Sequence, residues 1–106
     1  MSALPRFDAY INGKSAPPSG GQYFETVNPY TAKVWGEVAR CTVDDANRAV
    51  EAAYAQLTTG EWSKLNASQR GALLRRLGDL IRDHAQELAE YEVRDNGKLI
   101  NEMLAQ

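Results

Sequence analysis

The chain is organised around the stretch Tyr91-Glu92-Val93-Arg94-Asp95-Asn96-Gly97-Lys98, which ends the longest helical pattern in the sequence. That pattern covers about residues 67–94 and follows Asn66, a favourable capping residue with a glutamine three positions later. Gly97 is expected to adopt the left-handed backbone that commonly closes a helix. A second apolar pattern then starts a third helix over 98–106. The stretch therefore predicts a helix end, a sharp turn and a new helix.

The long helical pattern carries more apolar surface than this chain can cover. At about 1.5 Å per residue the helix would be about 42 Å long. Gly71 and Gly78 lie one heptad apart on one side, and glycine within a helix costs about 1 kcal/mol relative to alanine. We expect close contact with another backbone to offset that cost, and a partner outside the chain to cover part of the stripe. The stripe consists of Leu73, Leu74, Leu77, Leu80, Ile81, Leu88 and Tyr91.

The residues before this helix predict short strands and one further helix. Residues 1–8 show no period and are expected to form an irregular arm, whereas about 9–41 read as three or four antiparallel strands. Asn12-Gly13 is a strong hairpin signal, because both central residues of a type I′ turn need a positive φ. Thr42 and Asp45 resemble a capping box that starts a helix over about 43–58, and Gly60 is expected to end it. Within the chain the fold is thus of the α+β type.

Composition excludes several classes of function. The chain has 106 residues, 43% hydrophobic and 25% charged, as in an ordinary globular domain or part of one. Its net charge of −2 and the absence of a basic patch argue against nucleic-acid binding. No apolar run is long enough for a membrane span. The first residues lack the basic and apolar pattern of a signal peptide, so we expect none. A single cysteine, Cys41, cannot form an internal disulfide. We expect a cytoplasmic protein.

The residues by themselves predict no active site. Cys41 precedes a helix start, where a thiol pKa is lowered, but the only histidine, His84, lies in the middle of the long helical pattern. Helix capping and surface ion pairs explain the acidic pairs Asp44-Asp45 and Asp79/Asp83 better than catalysis does. The sequence holds no glycine-rich phosphate motif, no Cys-x-x-Cys and no His-Glu-x-x-His.

Taken together, five segments resemble the N-terminus of the NAD(P)-dependent aldehyde dehydrogenase superfamily. The resemblance covers about residues 9–106, and the order and spacing of the set carry it rather than any one segment. The segments are Tyr10-Ile11-Asn12-Gly13-Lys14, Thr26-Val27-Asn28-Pro29-Tyr30-Thr31, residues 43–53, Trp62-Ser63 with Arg70-Gly71-Ala72-Leu73-Leu74, and Glu92-Val93-Arg94-Asp95-Asn96-Gly97-Lys98.

The resemblance implies an α/β fold in which residues 9–106 form the N-terminal part of a Rossmann-like cofactor domain. It also implies a full-length homo-oligomeric enzyme, a dimer or tetramer, that oxidises an aldehyde to a carboxylic acid with NAD or NADP. In that family a cysteine thiolate attacks the carbonyl, hydride passes to the nicotinamide, and a glutamate activates water. All of these groups are expected beyond Gln106, so we assign no catalytic or cofactor-binding residue here. The remainder of such a chain is the expected partner.

The resemblance also suggests a monovalent cation site. Some family members bind such an ion near positions that match Thr26, Val27 and Asp95, with a further ligand from residues absent here. The competing interpretation is that Asp95 only caps the helix break. Leu99 also departs from the family pattern, in which proline often follows the lysine, and this leaves the start of the third helix open.

Three hypotheses of function follow. The chain is the non-catalytic N-terminal scaffold of an aldehyde dehydrogenase, or a free-standing interaction module derived from that family, or a structural domain of unrelated function. The ordered motif set favours the first. The exposed apolar stripes would serve as the interface of the second.

Overall fold

The computed structural model describes residues 4–105, in which strands precede helices, and the predicted α/β class is confirmed. The chain divides into two compact units, one with residues up to 26 and 35–64, the other with 27–34 and those from 65 onward. Within the described range no helix is long and apolar enough to cross a membrane. The elements are β1 (Arg6–Phe7), β2 (Ala9–Ile11), β3 (Lys14–Ala16), β4 (Tyr23–Asn28), β5 (Lys33–Ala39), α1 (Val43–Thr58), α2 (Ala67–Asp83), α3 (Ala85–Asn96) and α4 (Ile100–Ala105).

The predicted hairpin at Asn12-Gly13 is confirmed. Strands β2 and β3 pair antiparallel with Ile11 opposite Lys14. Asn12 and Gly13 have φ values of 54° and 76°, as a type I′ turn requires. Helix α1 packs against β2, which gives this two-stranded sheet the support that an isolated hairpin lacks in water.

The other sheet has the strand order β1-β5-β4. Strand β1 corrects the irregular arm predicted over residues 1–8, of which residues 1–3 lie outside the described part of the chain. Strand β1 runs parallel to β5, with Arg6 opposite Glu37 and their side chains joined at 2.9 Å. The ring of Phe7 packs edge-on to Trp35, 5.7 Å between centroids. A Cβ at Gly36 would lie 3.1 Å from that phenyl ring, so glycine allows β1 to approach. A two-residue strand with a distant partner leaves no period in the sequence.

Both predicted helix starts and the predicted end of α1 near residue 58 are confirmed, whereas the left-handed cap expected at Gly60 does not form. Thr42 with Asp45, and Asn66 with Gln69, each form a reciprocal capping box. Helix α1 ends at Thr58; the capping residue Thr59 has a φ of −129°, and Gly60 does not adopt a left-handed backbone. The Gly60 amide still donates to the carbonyl of Ala55, 2.8 Å away, so a glycine-specific conformation is unnecessary there.

The single helix predicted over about 67–94 is two helices, α2 and α3, separated at His84. The ψ of His84 is 17°, far from the helical value near −42°. Its amide still donates to the Leu80 carbonyl at 3.0 Å, and its ring lies 3.2 Å from the Glu87 carboxylate. The apolar period continues from Ile81 to Leu88 across this residue, so a one-residue interruption could not be found from periodicity.

The end of α3 confirms the prediction for Gly97. Its φ is 76°, and its amide donates to the Val93 carbonyl at 2.8 Å. The side chain of Asn96 accepts from the Lys98 amide at 2.8 Å. The turn places α4 against α3. The Leu99 carbonyl accepts hydrogen bonds from the amides of Glu102 and Met103 in α4. The third helix therefore starts at Ile100 rather than at residue 98.

The prediction of a close backbone contact at Gly71 and Gly78 is not met within residues 4–105. A Cβ built at either glycine would meet no heavy atom within 4 Å apart from its chain neighbours and the backbone of its own helix. Every residue from 71 to 84 is exposed, and α2 contributes no buried residue. The described part of the chain therefore contains nothing that offsets the conformational cost of these two glycines.

We expect Gly78→Ala to stabilise the chain by about 0.5–1 kcal/mol, because alanine restricts the unfolded chain and fits the helical backbone. The open space around the position of the added methyl group removes any steric cost. Urea denaturation followed by circular dichroism measures the change. Gly13→Ala is the control: its φ of 76° is unfavourable for alanine, so that variant should lose stability. A loss of stability in Gly78→Ala would contradict an open site.

Candidate functional site

The most strongly bonded polar side chain in the first unit is Asp45, whose carboxylate is buried. It accepts from the Thr42 amide at 2.8 Å and from the Ser19 amide at 3.1 Å. The Thr42 hydroxyl donates to it at 3.3 Å, and Arg48 forms an ion pair with it. These contacts hold the pKa of Asp45 well below its usual range, and the hydrogen bond from the Thr42 amide is the largest cause. The Ser19 amide and Arg48 lower the pKa further, whereas desolvation of the carboxylate raises it.

This carboxylate joins the loop after β3 to the start of α1. The hydroxyls of Ser19 and Thr42 lie 2.7 Å apart beside it, and the preceding Pro18 is buried. The capping box between Thr42 and Asp45 was predictable from their spacing. The bond from Ser19 was not, because it joins residues 26 positions apart. Asp45 therefore holds the loop after β3 against the start of α1, and it is no candidate for acid–base catalysis.

An open groove of about 560 Å³ lies between the β2–β3 hairpin and α1. Its walls include the apolar side chains of Ile11 and Pro17, and its lining carries Lys14, Arg48 and Glu51. Arg48 is already engaged with Asp45. The groove thus presents charges of both signs without a buried polar group directed into it, and it selects no class of ligand.

The three residues predicted for a monovalent cation lie in different units. Thr26 is half-buried in β4 and belongs to the first unit; Val27, also in β4, and Asp95, in the last turn of α3, belong to the second. Within residues 4–105, no group of three or more His, Cys, Asp or Glu side chains could hold a metal ion. A monovalent site built from backbone and hydroxyl oxygens needs no such group, so this site stays a prediction. At the end of α3 the Asn96 side chain accepts a hydrogen bond from the Lys98 amide.

The two residues considered for nucleophilic chemistry belong to different units of the chain. Cys41 is exposed, in the first unit, just before α1. His84 is exposed in the second unit, where its Nδ1 lies 3.2 Å from a carboxylate oxygen of Glu87. Neither residue is held in a pocket with an activating group.

The described residues do not fit a nicotinamide dinucleotide. Such a cofactor is bound by a glycine-rich turn between a strand and a helix, which places the pyrophosphate on the helix N-terminus. The pair Gly20-Gly21 precedes β4, so no helix follows it directly. The segment between β5 and α1, Arg40-Cys41-Thr42, contains no glycine.

Comparisons with known proteins give a single family. The aldehyde dehydrogenase family model matches residues 16–106. The (Z)-2-((N-methylformamido)methylene)-5-hydroxybutyrolactone dehydrogenase of Acinetobacter baylyi is 41% identical over 103 residues, 97% of this chain and 21% of that protein. An aldehyde dehydrogenase of Rhodospirillum rubrum is 41% identical over 101 residues, 95% of this chain and 20% of its own length.

A solved structure gives the same result for the backbone. The NAD+ complex of an aldehyde dehydrogenase from Bacillus cereus superposes with a TM-score of 0.91 at 36% identity, over 95% of this chain and 21% of that one. The chain thus spans about a fifth of the length of each of these relatives. With the family model covering residues 16–106 and these relatives aligned along nearly the whole sequence, the chain belongs to the aldehyde dehydrogenase family.

Proposed function

We propose that this chain is the N-terminal, non-catalytic segment of an NAD(P)-dependent aldehyde dehydrogenase that converts an aldehyde to a carboxylic acid. One observation carries the proposal: the chain is 41% identical along 97% of its length to a relative of which it spans only 21%. Its described residues hold no activated nucleophile and no dinucleotide turn. The segment supplies scaffold, while the cysteine, the glutamate and the cofactor contacts come from the rest of the enzyme.

The scaffold role is supported by two features that hold the backbone in place. The buried carboxylate of Asp45 binds backbone amides, and the left-handed Gly97 closes α3 and directs α4. Both features shape the backbone and present no reactive atom. In the proposed enzyme the partner of this segment is the remainder of the same chain, and the assembled protein is a homo-oligomer, a dimer or tetramer.

Activity measurements test this proposal. We expect the purified 106-residue chain to reduce neither NAD nor NADP with aliphatic or aromatic aldehydes, as followed by absorbance at 340 nm. The matched sample is a chimera in which this chain replaces the aligned segment of the Bacillus cereus aldehyde dehydrogenase. The chimera should reduce NAD with an aldehyde. Turnover by the chain alone, or a folded chimera without activity, would contradict the scaffold role.

A second candidate function is supported by the exposed apolar side chains of both units. Leu74 is 60% exposed on α2 and Tyr54 is 65% exposed on α1, as on an interaction module that docks on an intact family member. Mixing the chain with the intact Bacillus cereus enzyme discriminates the two functions. Formation of a stable complex, seen by sedimentation velocity, favours the module, whereas the scaffold predicts no complex because the intact enzyme already holds its own segment.

A further inference from the structure

The dipeptide asparagine-glycine occurs at both Asn12-Gly13 and Asn96-Gly97. In this dipeptide the glycine nitrogen can attack the side-chain carbonyl carbon of the asparagine and close a five-membered ring, because glycine has no Cβ to block the approach. The reaction requires a glycine amide that is free to lose its proton, an asparagine side chain that is free to rotate, and access for water. The two pairs therefore have the same intrinsic chemistry, and their surroundings decide which of them reacts.

The pair Asn12-Gly13 meets all three requirements. Both residues are exposed in the turn between β2 and β3. Among the contacts of residues 4–105, neither the Gly13 amide nor the Asn12 side chain takes part in a hydrogen bond. The space beside the Gly13 Cα is open, and Asn12 lines the open groove between the hairpin and α1, so water reaches the turn.

The pair Asn96-Gly97 is held by hydrogen bonds at the same atoms. The Gly97 amide donates to the Val93 carbonyl at 2.8 Å, so loss of its proton would break the bond that closes α3. The side-chain oxygen of Asn96 accepts from the Lys98 amide at 2.8 Å, and its nitrogen donates to the Met103 sulfur at 3.9 Å. These bonds must open before the ring can close, so the end of α3 protects this asparagine.

We propose that Asn12 is a site of spontaneous covalent modification by deamidation, and that the fold protects Asn96 from the same reaction. A bond forms between the Gly13 nitrogen and the Asn12 Cγ, and the bond from that Cγ to Nδ2 breaks. The Nδ2 group leaves as ammonia with the proton of the Gly13 amide. One water molecule then opens the cyclic imide at either of its two carbonyl groups, which gives isoaspartate or aspartate. No electron is transferred, and water is the only co-reactant.

The isoaspartate product disrupts the hairpin because it adds a methylene group to the backbone of a two-residue turn. The type I′ geometry and the register that places Ile11 opposite Lys14 both depend on the length of that turn. Helix α1 packs against β2, so the change extends to the packing of the first unit. The aspartate product keeps the backbone intact, since Asp-Gly also suits a type I′ turn. The two products therefore differ in the order of the hairpin.

Peptide mapping by mass spectrometry tests this proposal on the 106-residue chain, incubated at neutral pH in buffer and in guanidinium chloride. The tryptic peptides 7–14 and 95–98 each contain a single asparagine, so each mass change identifies its site. In buffer we expect Asn12 to deamidate about 10-fold or more faster than Asn96, which reacts only after local opening. In guanidinium chloride the two rates should agree within about 3-fold, because the protecting bonds are gone. Equal rates in buffer, or a faster reaction at Asn96, would overturn the proposal.

Asn12→Gly is the matched control, since Gly-Gly keeps the type I′ turn and removes the reactive side chain. Its peptide 7–14 should show no deamidation, and a mass change that persists there would contradict the assignment to Asn12. Hydrogen exchange of the separated products tests the effect on the hairpin. The amides of β2 and β3 should exchange faster in the isoaspartate form than in the aspartate form. Equal exchange in the two forms would contradict the inferred disruption of the turn.

Discussion

Gly97→Ala is expected to lower the free energy of unfolding by about 2–4 kcal/mol. Gly97 has a φ of 76°, a backbone conformation that alanine adopts only at a cost. A Cβ there would also lie 2.9 Å from the Cγ of Pro29, which is closer than carbon atoms approach. Both residues belong to the second unit, so the contact is internal to it. Urea denaturation followed by circular dichroism at 222 nm measures the loss.

A double-mutant cycle separates the two causes. In Pro29→Ala/Gly97→Ala the colliding ring is gone, so only the backbone cost remains, and the coupling between the two sites should be about 0.5–3 kcal/mol. Gly71→Ala is the matched control, since the same methyl group is added on a helical backbone in open space. A Gly97→Ala variant as stable as Gly71→Ala would show that the turn does not hold the left-handed conformation.

Asp45→Asn is the second substitution expected to have a large effect, and it should lower the Tm by roughly 5–15 °C. The asparagine keeps the size of the side chain but loses the charge and one acceptor. The amides of Ser19 and Thr42 and the guanidinium of Arg48 then compete for a weaker partner. Thermal unfolding followed by circular dichroism measures the shift.

Asp44→Asn is the matched control for this substitution. Asp44 also lies in the first turn of α1, so the favourable interaction of a negative charge with the helix N-terminus is lost in both variants. Asp44 is exposed, whereas the Asp45 side chain accepts from the Thr42 amide and completes the capping box. A Tm for Asp45→Asn equal to that of Asp44→Asn would mean that the buried bonds contribute nothing.

The pH dependence of stability follows from the same carboxylate. The pKa of Asp45 in the folded chain is lowered, first by the Thr42 amide. A group with a depressed folded pKa contributes stability above its unfolded pKa, about 3.9 for aspartate, and loses it as the pH falls toward the folded pKa. The Tm difference between the native chain and Asp45→Asn should therefore be constant above about pH 5 and shrink below about pH 4. A difference that grows on acidification would contradict this sign.

Much of the local structure could be read from individual residues. Asn12-Gly13 predicts its turn because both positions need a positive φ, and Gly97 predicts its helix end for the same reason. The capping boxes at Thr42 and Asn66 follow from side chains three residues apart. In each of these cases the interacting residues lie within a few positions of one another in the chain. The sequence alone is therefore enough to predict the interaction.

The family assignment was also available from the sequence, because it depends on the order of short segments and not on their packing. The monovalent cation site at Thr26, Val27 and Asp95 remains a prediction, since its ligands would come from distant parts of the chain. For the same reason the sequence indicated an uncovered apolar stripe on the long helix without naming the surface that covers it.

The tertiary structure decided the features that depend on residues far apart in the chain. The pairing of β1 with β5 needs Gly36 to admit the ring of Phe7, and the burial of Asp45 needs the Ser19 amide. The division of the long helix at His84 leaves the apolar period intact, so only the backbone angles reveal it. Sequence patterns determined each element and its ends where the forces are local. Long-range contacts determined which elements meet, because the free energy of those contacts exists only once the chain has folded.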